Sequence, residues 1–482
     1  MVVRLPDRRY ARPWARGGRR KSSYWGERAR CVGDEFGEAG EGAHRAGVLL
    51  GPGASVPGYL AMASPGDWLR AVVGERVGLV LSGGGARGAY EAGALSVLLP
   101  ELERRGQRPT VLVGTSAGAL NAVSLAADAD LDAERASAGL VERWLGVRRE
   151  DVFRPIVRRQ APATVVRYAG EVVGVPGVSL RGLLDPAPLR ASLDRLIDWS
   201  ALHRNVRDGA LDCVAVAASD AAVPRSVVFV EGRRQRELPS ARAIEYVTAR
   251  LSGDHVRGSS AIPVLFPAVR VDAPSRARGW YYDGGTRLNT PIKPALDLGV
   301  DRVVVIATHS IAPRRGEFWA QSESRPDFAD GALQLLQATL VDPMLEDVRT
   351  IGKTNLLIGR RGAPSAVTSH REAHGKGRYR RVPYMFIAPP TRSALGDAAS
   401  ALFRRRYGGY RGLRAPELAV LSRLLGGQSE QHGELISYLL FEPEFQEEVI
   451  ALGRSDARRW LDRVNGSDAP WYTDPIDTLP DS

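Results

Sequence analysis

The feature that most constrains the fold is an alternation, from Arg76 onward, of short apolar runs with segments of helical periodicity. The runs are rich in β-branched residues, as is typical of strands buried on both faces of a parallel sheet. A helical pattern follows the first run and places Leu95, Leu98, Leu99 and Leu102 on one face. We therefore predict an α/β fold of three layers, with a central, mostly parallel sheet between helices. The candidate strands are Val77–Ser82, Thr110–Gly114, Leu211–Ala217, Ser226–Val230, Gly279–Tyr282, Arg302–Thr308 and Tyr384–Ala388.

The 482 residues allow one to three domains at about 150 residues each. Residues 145–210 carry leucines at helical spacing between Pro/Gly-rich turns and are predicted to form a helical insertion over the sheet. A last helix carries Phe445, Val449 and Leu452 and is expected to end at Gly453. We predict a disordered Arg/Gly-rich leader over 1–74, a catalytic domain over 75–310, its mostly helical continuation over 311–465, and a flexible tail over 466–482.

The net charge of +11 does not indicate a nucleic-acid partner, because it is concentrated in the leader. Residues 1–30 hold ten basic and two acidic side chains, which leaves the rest of the chain close to neutral for its size. The two cysteines, Cys31 and Cys213, are too few for a disulfide framework or a Cys-rich zinc site. No apolar run reaches the roughly 18 residues of a spanning helix.

The expected location is therefore the cytoplasm or the periphery of a membrane. A signal peptide is not expected, because Gly51-Pro-Gly53 and Pro57 interrupt the apolar part of the leader. Met62 is an alternative start of the chain.

The first motif, Leu81-Ser-Gly-Gly-Gly-Ala-Arg-Gly-Ala89, follows a strand and opens a helix. Gly83, Gly85 and Gly88 match the spacing of a dinucleotide fingerprint, but the acidic residue that such a site needs after the second strand is missing. Consecutive glycines also let backbone N–H groups turn toward an anion, and the helix N-terminus adds positive charge. The motif thus fits either a phosphate site or the oxyanion hole of acyl transfer.

The second motif, Gly114-Thr-Ser-Ala-Gly118, has the G-x-S-x-G pattern of a nucleophile elbow. It lies between an apolar strand and a helix of small residues, which is the context that such an elbow requires. The two glycines leave room for a strained turn that presents the Ser116 hydroxyl above the sheet. An oxyanion hole and a nucleophile on neighbouring strands together indicate acyl transfer.

A serine nucleophile needs a base, and two candidates end strands. Asp283 lies in Tyr281-Tyr-Asp-Gly-Gly-Thr286, and His309 follows the apolar strand Val303–Thr308. The chain order Ser116, Asp283, His309 also fits the triad of an α/β-hydrolase, although that fold requires strands before the glycine motif. Either Asp283 alone or a triad that includes His309 therefore fits the pattern.

Taken together, these motifs resemble the patatin-like phospholipases. Gly83-Gly-Gly-Ala-Arg-Gly88 is similar to the oxyanion motif of that family, Gly114–Gly118 to its serine motif, and Asp283-Gly-Gly285 to its aspartate motif. The segment Ser259-Ser-Ala-Ile-Pro263 resembles the sequence that precedes the aspartate motif. The resemblance covers residues 75–310 firmly and 311–465 loosely.

The resemblance implies a lipid acyl hydrolase with a Ser116–Asp283 dyad. Ser116 forms an acyl-enzyme, Asp283 accepts its proton, and the residues of the glycine motif (Gly83, Gly84, Gly85, Arg87 and Gly88) hold the oxyanion or the substrate. Gly114, Gly118, Gly284 and Gly285 support the motifs. Arg87 either pins the loop or meets a lipid phosphate. No metal or other cofactor is implied.

The expected partner is a phospholipid or another acyl lipid, with a membrane surface as its source. The sequence leaves open whether a protein activator is needed. It also leaves two further functions open. One is a thioesterase or carboxylesterase that uses the same dyad. The other is a non-enzymatic protein that binds lipid or nucleic acid through its basic leader.

Overall fold

A computed structural model describes residues 75–155, 182, 184–233, 243–311, 342–359, 380–391, 393–407, 432–464 and 468–479. The predicted leader lies outside the described residues. The strands are β1 Val77–Leu81, β2 Pro109–Thr115, β3 Arg154–Pro155, β4 Leu184–Asp185, β5 Cys213–Asp220, β6 Ser226–Gly232, β7 Ile244–Thr248, β8 Val269–Val271, β9 Gly279–Asp283, β10 Arg302–Ile306 and β11 Tyr384–Ile387.

The helices lie mostly between these strands and cover the sheet. Their bounds are α1 Gly88–Arg104, α2 Ala117–Ala127, α3 Ala133–Gly146, α4 Arg149–Val152, α5 Ala187–Leu196, α6 Trp199–Asp208, α7 Gly253–Ser259, α8 Gly285–Leu288, α9 Ile292–Asp297, α10 Asp342–Gly359, α11 Ala394–Tyr407, α12 His432–Ile436 and α13 Pro443–Arg463. Short 3₁₀ turns occupy Gly85–Arg87, Ser275–Ala277 and Ile476–Thr478.

Nine of the described strands form one sheet, whose main path runs β11-β10-β1-β2-β5-β6-β7. The strands from β11 to β5 are parallel to one another, as the continuous apolar runs predict. β6 and β9 pair antiparallel with β5, and β8 pairs with β9. The predicted fold class, a mostly parallel sheet flanked by helices with a helical C-terminal region, is confirmed.

Each of the seven predicted strands is present, with ends that differ by up to three residues. β7 and β8 were not predicted. β8 has only three residues, too few for an alternating pattern to stand out, and β7 places the charged Glu245 between apolar residues. The four leucines of the first helical pattern are buried in α1, as predicted.

The predicted end of the last helix at Gly453 is wrong. α13 continues through this glycine to Arg463, and Gly453 lies where α13 crosses α1. A Cβ atom on Gly453 would lie 2.1 Å from the Tyr90 carbonyl oxygen. The glycine is therefore explained by the close approach of two helices, a tertiary contact that has no signature in the local sequence.

Residues 468–479, which belong to the predicted flexible tail, contact the rest of the described chain. Tyr472 exchanges two backbone hydrogen bonds of 2.8 Å with Tyr384 at the start of β11. Trp471 and Ile476 are buried. Their apolar surface anchors this segment to the sheet and to α13, where the Trp460 indole donates to the Pro470 carbonyl group at 2.9 Å.

Among the described helices, none combines the length and the apolar character needed to cross a membrane.

Candidate active site

The serine motif forms a tight turn between β2 and α2. Ser116 adopts φ 54° and ψ −120°, a conformation that L-residues rarely occupy. The neighbouring glycines permit it. A Cβ atom on Gly114 would lie 2.1 Å from the Gly118 carbonyl oxygen, and one on Gly118 would lie 2.3 Å from the Leu81 carbonyl oxygen. The elbow predicted from the sequence is therefore present, with Ser116 at the N-terminus of α2.

The register of the sheet brings Asp283 to this serine. Thr115, the last residue of β2, pairs with Ala217 of β5, and Asp283, the last residue of β9, pairs with the next residue, Ala218. β2 and β9 thus lie along β5 and meet end to end. The Ser116 side chain lies beside the Asp283 carboxylate, close enough to lower its pKa.

Asp283 lies in a desolvated position, with 5% of its surface exposed. Burial is the main cause that raises its pKa, to about 7. It outweighs the hydrogen bond from the Gly285 N–H, at 2.7 Å, and the influence of the neighbouring Ser116 side chain. A carboxylate with a pKa near 7 is a much better proton acceptor at neutral pH than an exposed aspartate.

The glycine motif forms a loop beside the elbow. The Gly83 N–H donates to the Asn289 carbonyl group at 3.0 Å, and the Ala86 N–H donates to the Tyr438 carbonyl group at 2.9 Å. Within the described part of the chain, the N–H groups of Gly84 and Gly85 have no protein acceptor. These two groups are therefore available to an external oxyanion.

Gly85 has a positive φ of 56°, and a Cβ atom there would lie 2.3 Å from the Tyr438 carbonyl oxygen. Gly88 begins α1, where a Cβ atom would meet the Trp144 ring at 2.6 Å. Gly88 therefore allows α1 to pack closely against Trp144. Gly85 lines the same pocket as Ser116.

Arg87 is buried against residues 434–438. Its side chain is 1% exposed, and its guanidinium group donates to the Ser437 hydroxyl at 2.7 Å, the Glu434 carbonyl group at 2.8 Å and the Glu434 carboxylate at 2.6 Å. It also stacks over the Tyr438 ring at 4.4 Å. Of its two predicted roles, these contacts support pinning of the loop rather than recognition of a lipid phosphate.

A buried polar network supports the loop from below. Glu91 accepts hydrogen bonds from the Ser82 N–H at 2.7 Å and from the Asn121 amide at 2.8 Å, while Trp144 donates to Asn121 at 2.7 Å. Burial raises the pKa of Glu91 to about 8. The network connects the end of β1 with α1, α2 and α3 and so fixes the entry to the glycine loop.

A pocket of about 900 Å³, measured out to its open mouth, leads to Ser116. Its wall is mainly aliphatic and aromatic, which suits a hydrocarbon chain. Besides Ser116 and Gly85, the lining residues are Ala117, Leu120, Trp144, Val147, Asp151, Val152, Pro186, Leu189, Ser192, Leu193, Leu196, Val256, Arg257, Ser260, Ala261, Ile262, Phe266, Val269, Tyr438, Leu439 and Phe441.

His309 is placed apart from the Ser116–Asp283 pair. Its Nε2 atom lies 2.5 Å from the Tyr438 hydroxyl and its Nδ1 atom 3.3 Å from the Thr308 hydroxyl. Burial, and then the positive charge of Arg87, lower its pKa well below the usual 6.5. The contacts of His309 therefore do not assemble the alternative triad.

Three groups at this site were not singled out from the sequence. Ser259 accepts a hydrogen bond from the Ser116 N–H, Tyr438 lines the pocket, and the Ala117 N–H at the start of α2 has no acceptor in the described residues. Ser259 had a signal, since it lies in the segment before the aspartate motif. Tyr438 had none, because more than 300 residues separate it from Ser116.

Comparison with known proteins agrees with this architecture. Residues 79–296 match the family model described as patatin-like phospholipase. This part of the chain is therefore similar to the patatin-like phospholipases, and the similarity supports lipid acyl hydrolase activity in general terms. The match ends before His309. It also ends before residues 434–438, which contact the Arg87 side chain.

A crystal structure of VipD from Legionella pneumophila is also similar, over 80% of this chain and 67% of that one. The sequence identity is 13% and the TM-score is 0.25. No curated protein gives a significant match to the chain.

Proposed function

We propose that this protein hydrolyses acyl ester bonds of lipids through a Ser116–Asp283 dyad and a covalent acyl-enzyme. The observation that carries the proposal is the position of Ser116 beside the buried Asp283 carboxylate at the end of an apolar pocket. The pocket holds the acyl chain, and its open mouth leaves space for the remainder of the lipid.

In the first step, the Asp283 carboxylate accepts the proton of Ser116 while the serine oxygen attacks the ester carbonyl carbon. The N–H groups of Gly84 and Gly85, with that of Ala117, stabilise the oxyanion of the tetrahedral intermediate. Protonated Asp283 then gives its proton to the departing alkoxide, so the alcohol leaves and the acyl group stays on Ser116.

In the second step, Asp283 accepts a proton from water as the water oxygen attacks the acyl-enzyme. The same N–H groups hold the second oxyanion. Collapse of the intermediate releases the fatty acid, and the proton on Asp283 returns to the Ser116 oxygen. The cycle leaves the dyad unchanged, and the chemistry uses no metal ion.

Active-site labelling and a lipid panel test the proposal. We expect a fluorophosphonate probe to label Ser116, and Ser116→Ala and Asp283→Asn each to abolish fatty-acid release measured by mass spectrometry. Ser96→Ala and Asp272→Asn, which alter residues away from the pocket, serve as matched controls. Full activity in Ser116→Ala, or labelling of another serine, contradicts the dyad. Hydrolysis of acyl thioesters alone identifies a thioesterase instead.

A further inference from the structure

The carbonyl groups at the end of α8 accept hydrogen bonds from two other motifs. This short helix begins two residues after Asp283 and ends at Leu288. The last carbonyl groups of a helix have no donor within it and need one from elsewhere. The Leu288 carbonyl group accepts from the Thr115 hydroxyl at 2.8 Å, and that of Asn289 accepts from the Gly83 N–H at 3.0 Å. One helix therefore joins the aspartate motif to both the serine motif and the glycine motif.

The sheet itself provides no direct link between Ser116 and Asp283. Their strands, β2 and β9, each pair with β5, but no described pairing joins β2 to β9. The bond from Thr115 to Leu288 spans this gap, because Thr115 directly precedes Ser116 and Leu288 lies five residues after Asp283. It is thus a direct tie between the segments that carry the two groups.

The packing around Thr115 is as close as its hydrogen bond. Thr115 is fully buried. A Cβ atom on Gly284 would lie 3.0 Å from the Thr115 Cγ2 atom and 2.4 Å from the Ala217 carbonyl oxygen. Glycine at 284 thus allows α8 to approach β2 and β5. A buried carbonyl group that loses its donor is costly, so the bond to Leu288 holds the two segments together.

Building on the dyad proposed above, we propose that Thr115 is a positioning residue for it. The Thr115 hydroxyl, through Leu288, sets where Ser116 lies relative to Asp283. Because proton transfer between two side chains requires hydrogen-bond distance, a small displacement of the elbow slows the reaction without weakening the binding of the acyl chain.

The kinetics of two Thr115 variants of the full chain, on a monomeric ester, test this role. Thr115→Val removes the donor and keeps the size of the side chain. It should lower kcat about tenfold or more and change KM little, since Thr115 does not line the pocket. Thr115→Ser keeps the hydroxyl and should retain most of kcat. Thr115→Ala removes the same donor without placing a methyl group against the Leu288 carbonyl group, and it replaces Thr115→Val if that variant does not fold.

The pH profile separates positioning from a loss of stability alone. The Ser116 side chain lowers the pKa of Asp283, so an elbow that moves away lets this pKa rise. The acid limb of kcat/KM should therefore move to higher pH in Thr115→Val and stay in place in Thr115→Ser. A variant that is merely less stable has a lower melting temperature and an unmoved limb.

Thr110→Val is the matched control, because it makes the same substitution on the same strand. The Thr110 hydroxyl donates to the Asp212 carboxylate at 3.0 Å, and five residues, or about 17 Å of strand, separate it from Thr115. This variant should keep both kcat and the acid limb. An unchanged kcat in Thr115→Val overturns the proposal. So does an equal loss of kcat in Thr115→Ser, which assigns the effect to packing of the methyl group.

The rate at which a fluorophosphonate labels Ser116 distinguishes this proposal from that of lipid hydrolysis. Labelling should be slower in Thr115→Val and unchanged in Thr115→Ser and Thr110→Val. Labelling that depends on Thr115 in a protein that hydrolyses no ester leaves the positioning role intact and removes the proposed reaction. Ester hydrolysis and labelling that are both independent of Thr115 remove the positioning role alone.

Discussion

The Ser116 N–H donates to the Ser259 hydroxyl at 2.8 Å, and that hydroxyl donates to the Ala217 carbonyl group at 2.6 Å. The two bonds tie the elbow to β5, the strand that also aligns Asp283 through Ala218. One side chain thus fixes the position of Ser116 relative to Asp283.

Ser259→Ala should lower kcat about tenfold or more and change KM little, because it releases the strained elbow without altering the pocket wall. It leaves the buried Ser116 N–H without an acceptor, at a cost of about 1–3 kcal/mol. Steady-state kinetics on a monomeric ester measures both parameters. Ser219→Ala, which removes a hydroxyl of β5 that lies 2.9 Å from the Thr286 hydroxyl, is the control. An unchanged kcat in Ser259→Ala contradicts the bracing role.

The acid limb of kcat/KM should have its midpoint near pH 7, since Asp283 acts as a base only when ionised and burial raises its pKa to about 7. A midpoint near pH 7 does not by itself distinguish this carboxylate from an imidazole. The temperature dependence of the midpoint distinguishes the two groups, because the enthalpy of ionisation is small for a carboxyl group and large for an imidazole.

The limb should therefore keep its position in profiles recorded at two temperatures, and it should persist in His309→Ala with little loss of kcat. Disappearance of the limb in that variant makes His309 the base.

The free energy of unfolding should fall as the pH rises from about 4 to 8. Burial raises the pKa values of Asp283 to about 7 and of Glu91 to about 8, so the folded chain binds more protons than the unfolded chain in this window. Stability from these groups is present at acid pH and is lost as they ionise. Asp283→Asn should reduce the slope of the melting temperature against pH, while Asp272→Asn should not. An identical slope in Asp283→Asn contradicts the raised pKa.

Glu434→Gln should destabilise the chain by about 3 kcal/mol, because it leaves the buried Arg87 guanidinium without its counter-charge. It should also lower kcat, since Arg87 belongs to the loop of the glycine motif, whose Gly84 and Gly85 N–H groups are proposed to stabilise the oxyanion. Glu444→Gln breaks the exposed pair with Arg406 and should cost less than about 1 kcal/mol. Denaturant unfolding and kinetics measure the two effects. Equal stability of the two variants contradicts the role given to Glu434.

Gly453→Ala should destabilise the chain by about 2 kcal/mol or more, because the added methyl group meets the Tyr90 carbonyl group and separates α1 from α13. Gly146→Ala, at the end of α3, has open space around the new Cβ atom and should be neutral or stabilising by up to about 1 kcal/mol. Thermal unfolding compares them. Similar melting temperatures for both variants contradict the close helix contact.

The sequence was sufficient for the sheet and for the elements around the reacting groups. Continuous β-branched runs are typical of strands buried on both faces of a largely parallel sheet, and the glycines beside Ser116 are required by the backbone of a tight turn. Both are local properties, since they depend on neighbouring residues and can be seen in a short window of sequence. The same holds for the position of Asp283 at the end of a strand.

Tertiary structure decided which distant groups meet these elements. The register of β2 and β9 along β5 brings Ser116 beside Asp283. The turn after α12 brings Ser437 and Tyr438 to Arg87 in the loop of the glycine motif. A tertiary contact also decides the surroundings of His309. Its Nε2 atom lies 2.5 Å from the Tyr438 hydroxyl, apart from Ser116 and Asp283. Burial, which raises the pKa of Asp283, and helix crossing, which explains Gly453, depend on packing between segments that lie hundreds of residues apart, and no local pattern records such packing.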